Sequence, residues 1–226
     1  NWNSGKHLSN CIDSIVRCDC SLVNSIVIVD NHSSDQSTEI SYPNSIQINL
    51  IMSDTNLGFA SACNMGAKHC SADYLLFLNP DTLLYSDSLI NSIEFMELKE
   101  SSDYMVCGAK TIGDNNKVNR HCARFPSPFM LFTKSSGLSV YFPAIFKPIH
   151  LFEFDHLSSK GVDHVIGAFY LVRSSFFVKM KGFDERFFVY MEDIDFSKRV
   201  HESGKKVYYL ADSSIYHMGG GSSRNY

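Results

Sequence analysis

Three polar stations in this sequence have the residue types and spacing to do chemistry together. The first is Asn79 and Asp81, which follow directly on Tyr74–Leu78 (YLLFL). Those five largely apolar residues read as a strand buried on both faces. Pro80 cannot donate to a sheet ladder, so the chain leaves the sheet there and sets an amide and a carboxylate at the strand's carboxyl edge. Ligands of open α/β sheets bind at that edge. A hard divalent cation there would take carboxylate oxygen and fill its shell with phosphate oxygens and water. The second station is Glu192, Asp193 and Asp195, where an aromatic-rich segment meets a helical pattern. An apolar wall of Phe187, Phe188 and Tyr190 would raise a carboxylate's pKa toward working pH, which suits a general base. The third is His217, ahead of a run of three glycines, where it could complete a metal shell begun by Asp81. Each also has a plainer reading. Pro80-Asp81 can simply open a turn, the acids can complement a helix macrodipole at about 0.3–1 kcal/mol each, and a lone histidine can be structural.

The elements that must position these stations follow from periodicity. Leu8, Ile12, Ile15 and Val16 recur at helical spacing, predicting an amphipathic helix over 6–17. Ser25–Val29 reads as a buried strand that runs into the polar loop Asp30–Asp35, and residues 45–52 read as a second strand. Asn56-Leu57-Gly58 then leads into a helix of small residues, with Gly58 suited to a close backbone approach. A helix over 87–99 and a strand over 104–109 follow the YLLFL strand. This alternation predicts a mainly parallel central sheet with helices on both faces. Right-handed crossovers would then gather the loops at Asp30–Asp35, Asn56–Gly58 and Asn79–Asp81 on one edge. Residues 110–160 hold four of the six prolines and weak periodicity, and read as an irregular excursion covering one side of the site. Order returns with a strand over 164–172, with Gly167 inside it, then short helices over 174–180 and 193–203 and a last strand over 207–210.

At 226 residues, 44% hydrophobic and 19% charged, the chain is long enough for a single domain with a full core. A net charge of -4 gives no reason to expect nucleic-acid binding. No apolar run approaches a transmembrane length and no signal peptide is visible. Seven cysteines without framework spacing favour reduced thiols and a cytoplasmic setting. No G-x-G-x-x-G or Walker A sequence occurs, which excludes those two nucleotide-binding signatures. The chain opens on Asn1-Trp2-Asn3 and stops soon after a glycine run, so both ends are expected to be cut edges.

Six motifs in order extend this reading: VDNHSSD (29–35), NLGFASACNMG (56–66), LFLNPD (76–81), GAFYLVR (167–173), GFDERFFVYMEDIDFSKR (182–199) and HMGGGSS (217–223). Together they resemble glycosyltransferase family 2, and within it the bacterial rhamnosyltransferase-type enzymes of surface-polysaccharide (O-antigen) assembly. Asn1–Asn3 matches the end of that family's first strand. The resemblance implies a GT-A fold and an inverting, metal-dependent transfer from a nucleotide-diphosphate sugar, dTDP-rhamnose or a UDP-sugar. The acceptor it implies is a glycan or polyprenyl-diphosphate-linked sugar, met by peripheral contact at the inner face of the plasma membrane. Residues 1–109 would bind the nucleotide sugar and 161–226 would carry acceptor and catalytic residues. Asp30 would accept from the base ring, with Asn31 and Ser33 assisting, and Asn56, Gly58 and Asn79 would line the nucleotide pocket. Asp81, with His217, would hold Mg2+ or Mn2+, and Asn79 at the family's D-x-D position removes one charge from that site. Asp193 would be the base, with Glu192 its understudy, and Gly167, Asp184 and Glu185 would sit near the acceptor. A sugar-nucleotide nucleotidyltransferase is the competing enzyme, but the glycine- and basic-rich triphosphate loop it needs is not visible. A non-catalytic nucleotide-sugar-binding module is the competing non-enzyme, and the Asp81, Asp193 and His217 set argues against it.

Overall fold

The computed structural model describes residues 1–141, 151 and 154–218. Helix α1 (Lys6–Val16) buries Leu8, Cys11, Ile12 and Ile15, the stripe its spacing predicts. Strands β1 (Ser25–Asp30) and β2 (Gln47–Met52) pair in parallel, from Ser25 opposite Gln47 to Asp30 opposite Met52. Helix α2 (Phe59–Ala67) packs on β1, and β3 (Tyr74–Leu78) follows it. A short strand that periodicity missed, β4 (Thr82–Leu84), leads to α3 (Ser88–Glu97) and then β5 (Tyr104–Ile112). The stretch expected to be irregular contains two helices, α4 (Pro128–Ser135) and α5 (Leu138–Tyr141). Next come β6 (Lys160–Val162), β7 (Phe169–Arg173), α6 (Ser174–Lys179), α7 (Glu192–Glu202) and β8 (Lys206–His217).

Parallel pairing joins β1 to β2 and β5 to β8, while β7, β4 and β6 join their neighbours antiparallel, so the sheet structure is mixed. The larger sheet runs β3-β7-β5-β8-β4, with β6 on β8. The last strand is twelve residues long, against the four expected, because its polar positions Asp212 and Ser214 broke the apolar run without breaking the ladder. Gly167 is not inside a strand: it lies in a turn two residues ahead of β7. Asn1 runs beside β1, donating to Val29 O at 2.8 Å and accepting from Asn31 N–H at 2.8 Å, the two bonds of a parallel bridge.

Helix α7 is fixed by what it buries. Phe196 and Val200 are fully buried, each contributing about 1.5–3 kcal/mol. Phe183 stands among Phe77, Phe177 and Phe196 with ring centroids 4.8, 5.2 and 5.4 Å away, which ties α7 to β3 and α6. Tyr170 Oη and Ser197 Oγ are hydrogen-bonded at 2.9 Å inside this core. Arg199 pairs with Asp195 at 2.8 Å and donates to Met180 O and Gly182 O, pinning the turn that follows α6 to α7. No helix among the described residues is long and apolar enough to cross a membrane.

Candidate active site

A cavity of about 1240 Å³ passes between β1 and β3 and opens at their carboxyl ends. Its apolar part is walled by consecutive residues of both strands and by α1 and α2. Burial alternates along β3, with Leu75 and Phe77 buried and Tyr74, Leu76 and Leu78 only partly so, against the strand buried on both faces that the sequence suggested. All five residues line the cavity. Its polar end collects Asn31, Asn56, Gly58, Asn79, Asp81, Gly167, Glu192, Asp193 and His217 from six separate segments. The loops predicted to share one edge do share it.

The antiparallel pairing of β4 with β8 makes the first half of the polar end. Thr82 stands opposite His217, so the neighbouring Asp81 carboxylate meets the imidazole, Oδ1 to Nε2 at 3.3 Å. Burial alone would raise the Asp81 carboxyl. His217 outweighs it, and the group sits below the usual carboxylate range. His7 of α1, which no motif marked, adds positive charge toward Asp81. Asp81 Oδ1 is shielded from solvent and makes no hydrogen bond. That oxygen and the facing imidazole are a two-donor set that fits one divalent cation whose remaining ligands come from phosphate and water. No group of three or more His, Cys, Asp and Glu side chains suited to a metal occurs among the described residues. The three glycines (219–221) expected to form a loop beside His217 lie outside the described residues.

The second half is the start of α7. Asp193 Oδ2 accepts from Gly167 N–H at 2.9 Å and Oδ1 accepts from Ile194 N–H at 2.8 Å, so the carboxylate is aimed by backbone. Gly167, expected against the acceptor, therefore holds Asp193 directly. Glu192 is only 5% exposed and its Oε2 has no partner. Burial first, and the adjacent Asp193 second, push its carboxyl up to about 7. Of the aromatic wall expected around these acids, Phe188 and Tyr190 line the same cavity but are 52% and 64% exposed, with Tyr190 and Met191 in left-handed backbone (φ 64° and 77°). It is therefore the burial of Glu192 itself that desolvates the acid.

The remaining predicted residues brace the loops. Asp30 is fully buried and accepts from Asn1 Nδ2 at 2.6 Å, Ser33 Oγ at 2.7 Å and Ser33 N–H at 2.9 Å. Neither Asp30 nor Ser33 is on the cavity wall. Asn31 donates to Asn56 Oδ1 at 2.8 Å and Gly58 O at 3.1 Å, and accepts from Leu57 N–H at 2.7 Å. The backbone that approaches Gly58 is that of Phe188, whose carbonyl accepts from Phe59 N–H at 2.7 Å. Asp184 and Glu185, expected near the acceptor, do not line the cavity. Asp184 pairs with Arg186, which holds its carboxyl down to about 2, and Glu185 accepts from Asn64 at 3.0 Å. Arg120, His121 and His164 also line the cavity and were not singled out by sequence. His164 and Gly167 fall in one apolar run, whereas Arg120 and His121 sit in the stretch with no periodic signal.

Solved structures that share this architecture are GT-A glycosyltransferases. S. aureus TarS 1–349 in complex with UDP matches at a TM-score of 0.66 and 18% identity, over 96% of this chain and 58% of that one. GalNAc-T7 with UDP, GalNAc and Mn2+ matches at 0.67 and 12% identity, over 94% of this chain and 41% of that one. The likeness defines an α/β domain of the GT-A class. The glycosyl transferase family 2 model matches residues 1–149, and the chain belongs to that family. Rhamnosyltransferase WbbL of Escherichia coli K12 is 31% identical over 163 residues, 68% of this chain and 55% of that protein. The N-acetylglucosaminyl-diphospho-decaprenol L-rhamnosyltransferase of Mycobacterium tuberculosis is 26% identical over 221 residues, 85% of this chain and 66% of that protein. The hexosyltransferase Agl10 of Haloferax volcanii is 26% identical over 203 residues, 88% of this chain and 59% of that protein. The chain thus spans 55 to 66% of the length of these curated relatives.

Proposed function

We propose that the chain is the catalytic domain of an inverting glycosyltransferase that moves a sugar from a nucleotide-diphosphate donor to a glycan or polyprenyl-diphosphate-linked acceptor. The observation that carries the reading is one cavity end holding both the Asp81–His217 pair and a backbone-aimed Asp193. The names of two relatives favour rhamnose as the sugar; the donor proposed is dTDP-rhamnose, in bacterial surface-polysaccharide synthesis, with UDP-sugars as the donors to test against it. Residues 1–109 bind the nucleotide and 161–226 serve the acceptor, with His217 reaching back to Asp81. The domain works in the cytoplasm, in peripheral contact with the inner membrane face.

Asp81 and His217 would hold Mg2+ or Mn2+, which when bound stabilises the charge that builds on the departing diphosphate. Asp193 takes the proton from the acceptor hydroxyl. The acceptor oxygen bonds to the anomeric carbon as the carbon–oxygen bond to the diphosphate breaks on the opposite face. One displacement inverts the centre and needs one base, unlike the paired carboxylates of hydrolases. The Gly167 N–H holds Asp193 Oδ2 in place, so the base enters the reaction already oriented.

A thermal-shift panel tests this: dTDP, UDP, GDP and CDP, each with and without manganese, on wild type and Asp81→Asn. A ligand at a hundredfold excess over Kd stabilises by about 2.7 kcal/mol. In a chain of this size that is about 5–11 °C. A manganese-dependent rise with dTDP or UDP, lost in Asp81→Asn, is expected. No rise with any nucleotide refutes the reading.

A further inference from the structure

Nearly all buried polar groups in folded proteins find a hydrogen-bond partner, and leaving one without costs about 1–3 kcal/mol. Among the described residues, two shielded polar atoms of side chains on this cavity make no hydrogen bond, Glu192 Oε2 and His121 Nδ1, and a third, Asp81 Oδ1, meets only the His217 imidazole at 3.3 Å. Asp81 and Glu192 sit at the leaving-group and base ends already described. His121 has no role in that chemistry. Its ring is nonetheless firmly placed, with Nε2 3.0 Å from Oγ1 of Thr111, a buried residue of β5. It meets the rings of His156 and Tyr209 edge-on, at 5.7 and 5.8 Å. Burial, with the charges of His156, His164 and His217, lowers its pKa to about 3, so the imidazole is neutral. The cavity that His121 lines is the one whose wall also holds Asp81, His217, Gly167 and Asp193, between which a sugar in transit must pass.

We propose that His121 Nδ1 hydrogen-bonds a hydroxyl of the transferred sugar and so helps decide which sugar the cavity accepts. The inference rests on the glycosyltransferase reading and deepens it. The Thr111 hydroxyl can donate to Nε2, leaving an N–H at Nδ1, or accept from it, leaving a lone pair there. A sugar hydroxyl both donates and accepts, so it completes either tautomer, whereas a phosphate oxygen completes only one. A neutral ring also offers no charge to attract phosphate.

The test compares wild type, His121→Phe and His121→Gln. Phenylalanine keeps a ring against Tyr209 and removes the nitrogen, and glutamine restores a hydrogen-bonding group. Calorimetric Kd is measured for dTDP, dTDP-rhamnose, UDP and UDP-GlcNAc, with initial rates for each sugar nucleotide. His121→Phe is expected to bind the free nucleotide as wild type does. It should lose about tenfold in Kd and kcat/KM for the preferred sugar nucleotide, narrowing the ratio between donors, with partial recovery in His121→Gln. Unchanged donor Kd and unchanged ratios in His121→Phe would overturn the inference and leave Nδ1 to a structural water. Equal losses for nucleotide and sugar nucleotide would also overturn it, as general damage to the pocket. If wild type binds no nucleotide, the glycosyltransferase reading falls as well. If it binds and His121→Phe is silent, this inference falls alone.

Discussion

Gly58 is where the Asn56–Gly58 loop and the Phe188–Asp193 segment touch, and Gly58→Ala should separate them. Its backbone (φ 81°, ψ 172°) lies in a region essentially confined to glycine, so any side chain there costs about 1–3 kcal/mol. A Cβ built on it would stand 2.4 Å from Phe188 O and 2.8 Å from Phe188 Cδ2. Those contacts force the 188 backbone away and break the 2.7 Å bond from Phe59 N–H to Phe188 O, worth about 0.5–1.5 kcal/mol. The sum is about 1.5–4.5 kcal/mol, or a fall in Tm of about 3–18 °C by calorimetry. Gly204→Ala is the control. Gly204 also has positive φ (78°) but nothing within 4 Å of its Cβ, so it carries strain alone, about 1–2 kcal/mol. Because Phe188 leads into Glu192 and Asp193, Gly58→Ala should also lower kcat in the fraction that remains folded, and Gly204→Ala should not. Equal loss of Tm in the two variants, with equal kcat, would refute the idea that close approach at Phe188 seats the base.

Two further outcomes follow from the start of α7. Asp193→Asn keeps an oxygen for Gly167 N–H, so donor affinity should hold while kcat falls about 10²- to 10⁴-fold; a variant with full turnover, read in a steady-state transferase assay, would move the base elsewhere, to Glu192 first. The raised carboxyl of Glu192 stabilises the fold below its ordinary pKa, and that contribution is lost as pH rises through about 7. Glu192→Gln should therefore gain on wild type between about pH 5 and 8, by up to about 3 kcal/mol in urea unfolding, and parallel pH profiles would show that Glu192 titrates normally.

What was legible in the sequence is what depends on local pattern. The apolar stripe of α1, the strand at Ser25–Val29 (one residue short of the observed Ser25–Asp30), the break at Pro80 and the acid-rich start of α7 all came from period and turn chemistry. What was not legible depends on register between distant segments. Asp81 and His217 were named together, but only the Thr82–His217 pairing of β4 with β8 sets them face to face, and β4 is three residues long. A strand that short carries almost no periodic signal. The burial of the acids was misassigned for a related reason. Phe187, Phe188 and Tyr190 are adjacent in sequence to Glu192 and suggested an apolar wall. Phe188 and Tyr190 do line the cavity beside the acids but stay half-exposed, and Glu192 is desolvated by its own burial at the start of α7. His121 could not be found by pattern at all. Its position comes from Thr111 in β5 and from rings contributed by residues 156 and 209.

The same contacts show why the two ends of the site belong to one mechanical unit. Helix α2 begins immediately after the loop in which Asn31, Asn56 and Gly58 are cross-braced. Its first N–H holds Phe188 O, and further along it Asn64 accepts from Phe183 N–H and donates to Phe183 O, at 2.9 and 2.8 Å. Both attachments grip the segment that ends in Glu192 and Asp193. The loop of residues expected against the nucleotide and the segment that leads to the residue expected to deprotonate the acceptor are thus both joined to one nine-residue helix. A displacement of the Asn56–Gly58 loop is transmitted to Phe188 through a single backbone bond, without passing through the sheet. On the proposed mechanism, the spacing of the Asp81–His217 pair and Asp193 depends on two hydrogen-bonded joints on α2 and on the β4–β8 register, and substitutions at any of the three should change turnover more than they change nucleotide affinity.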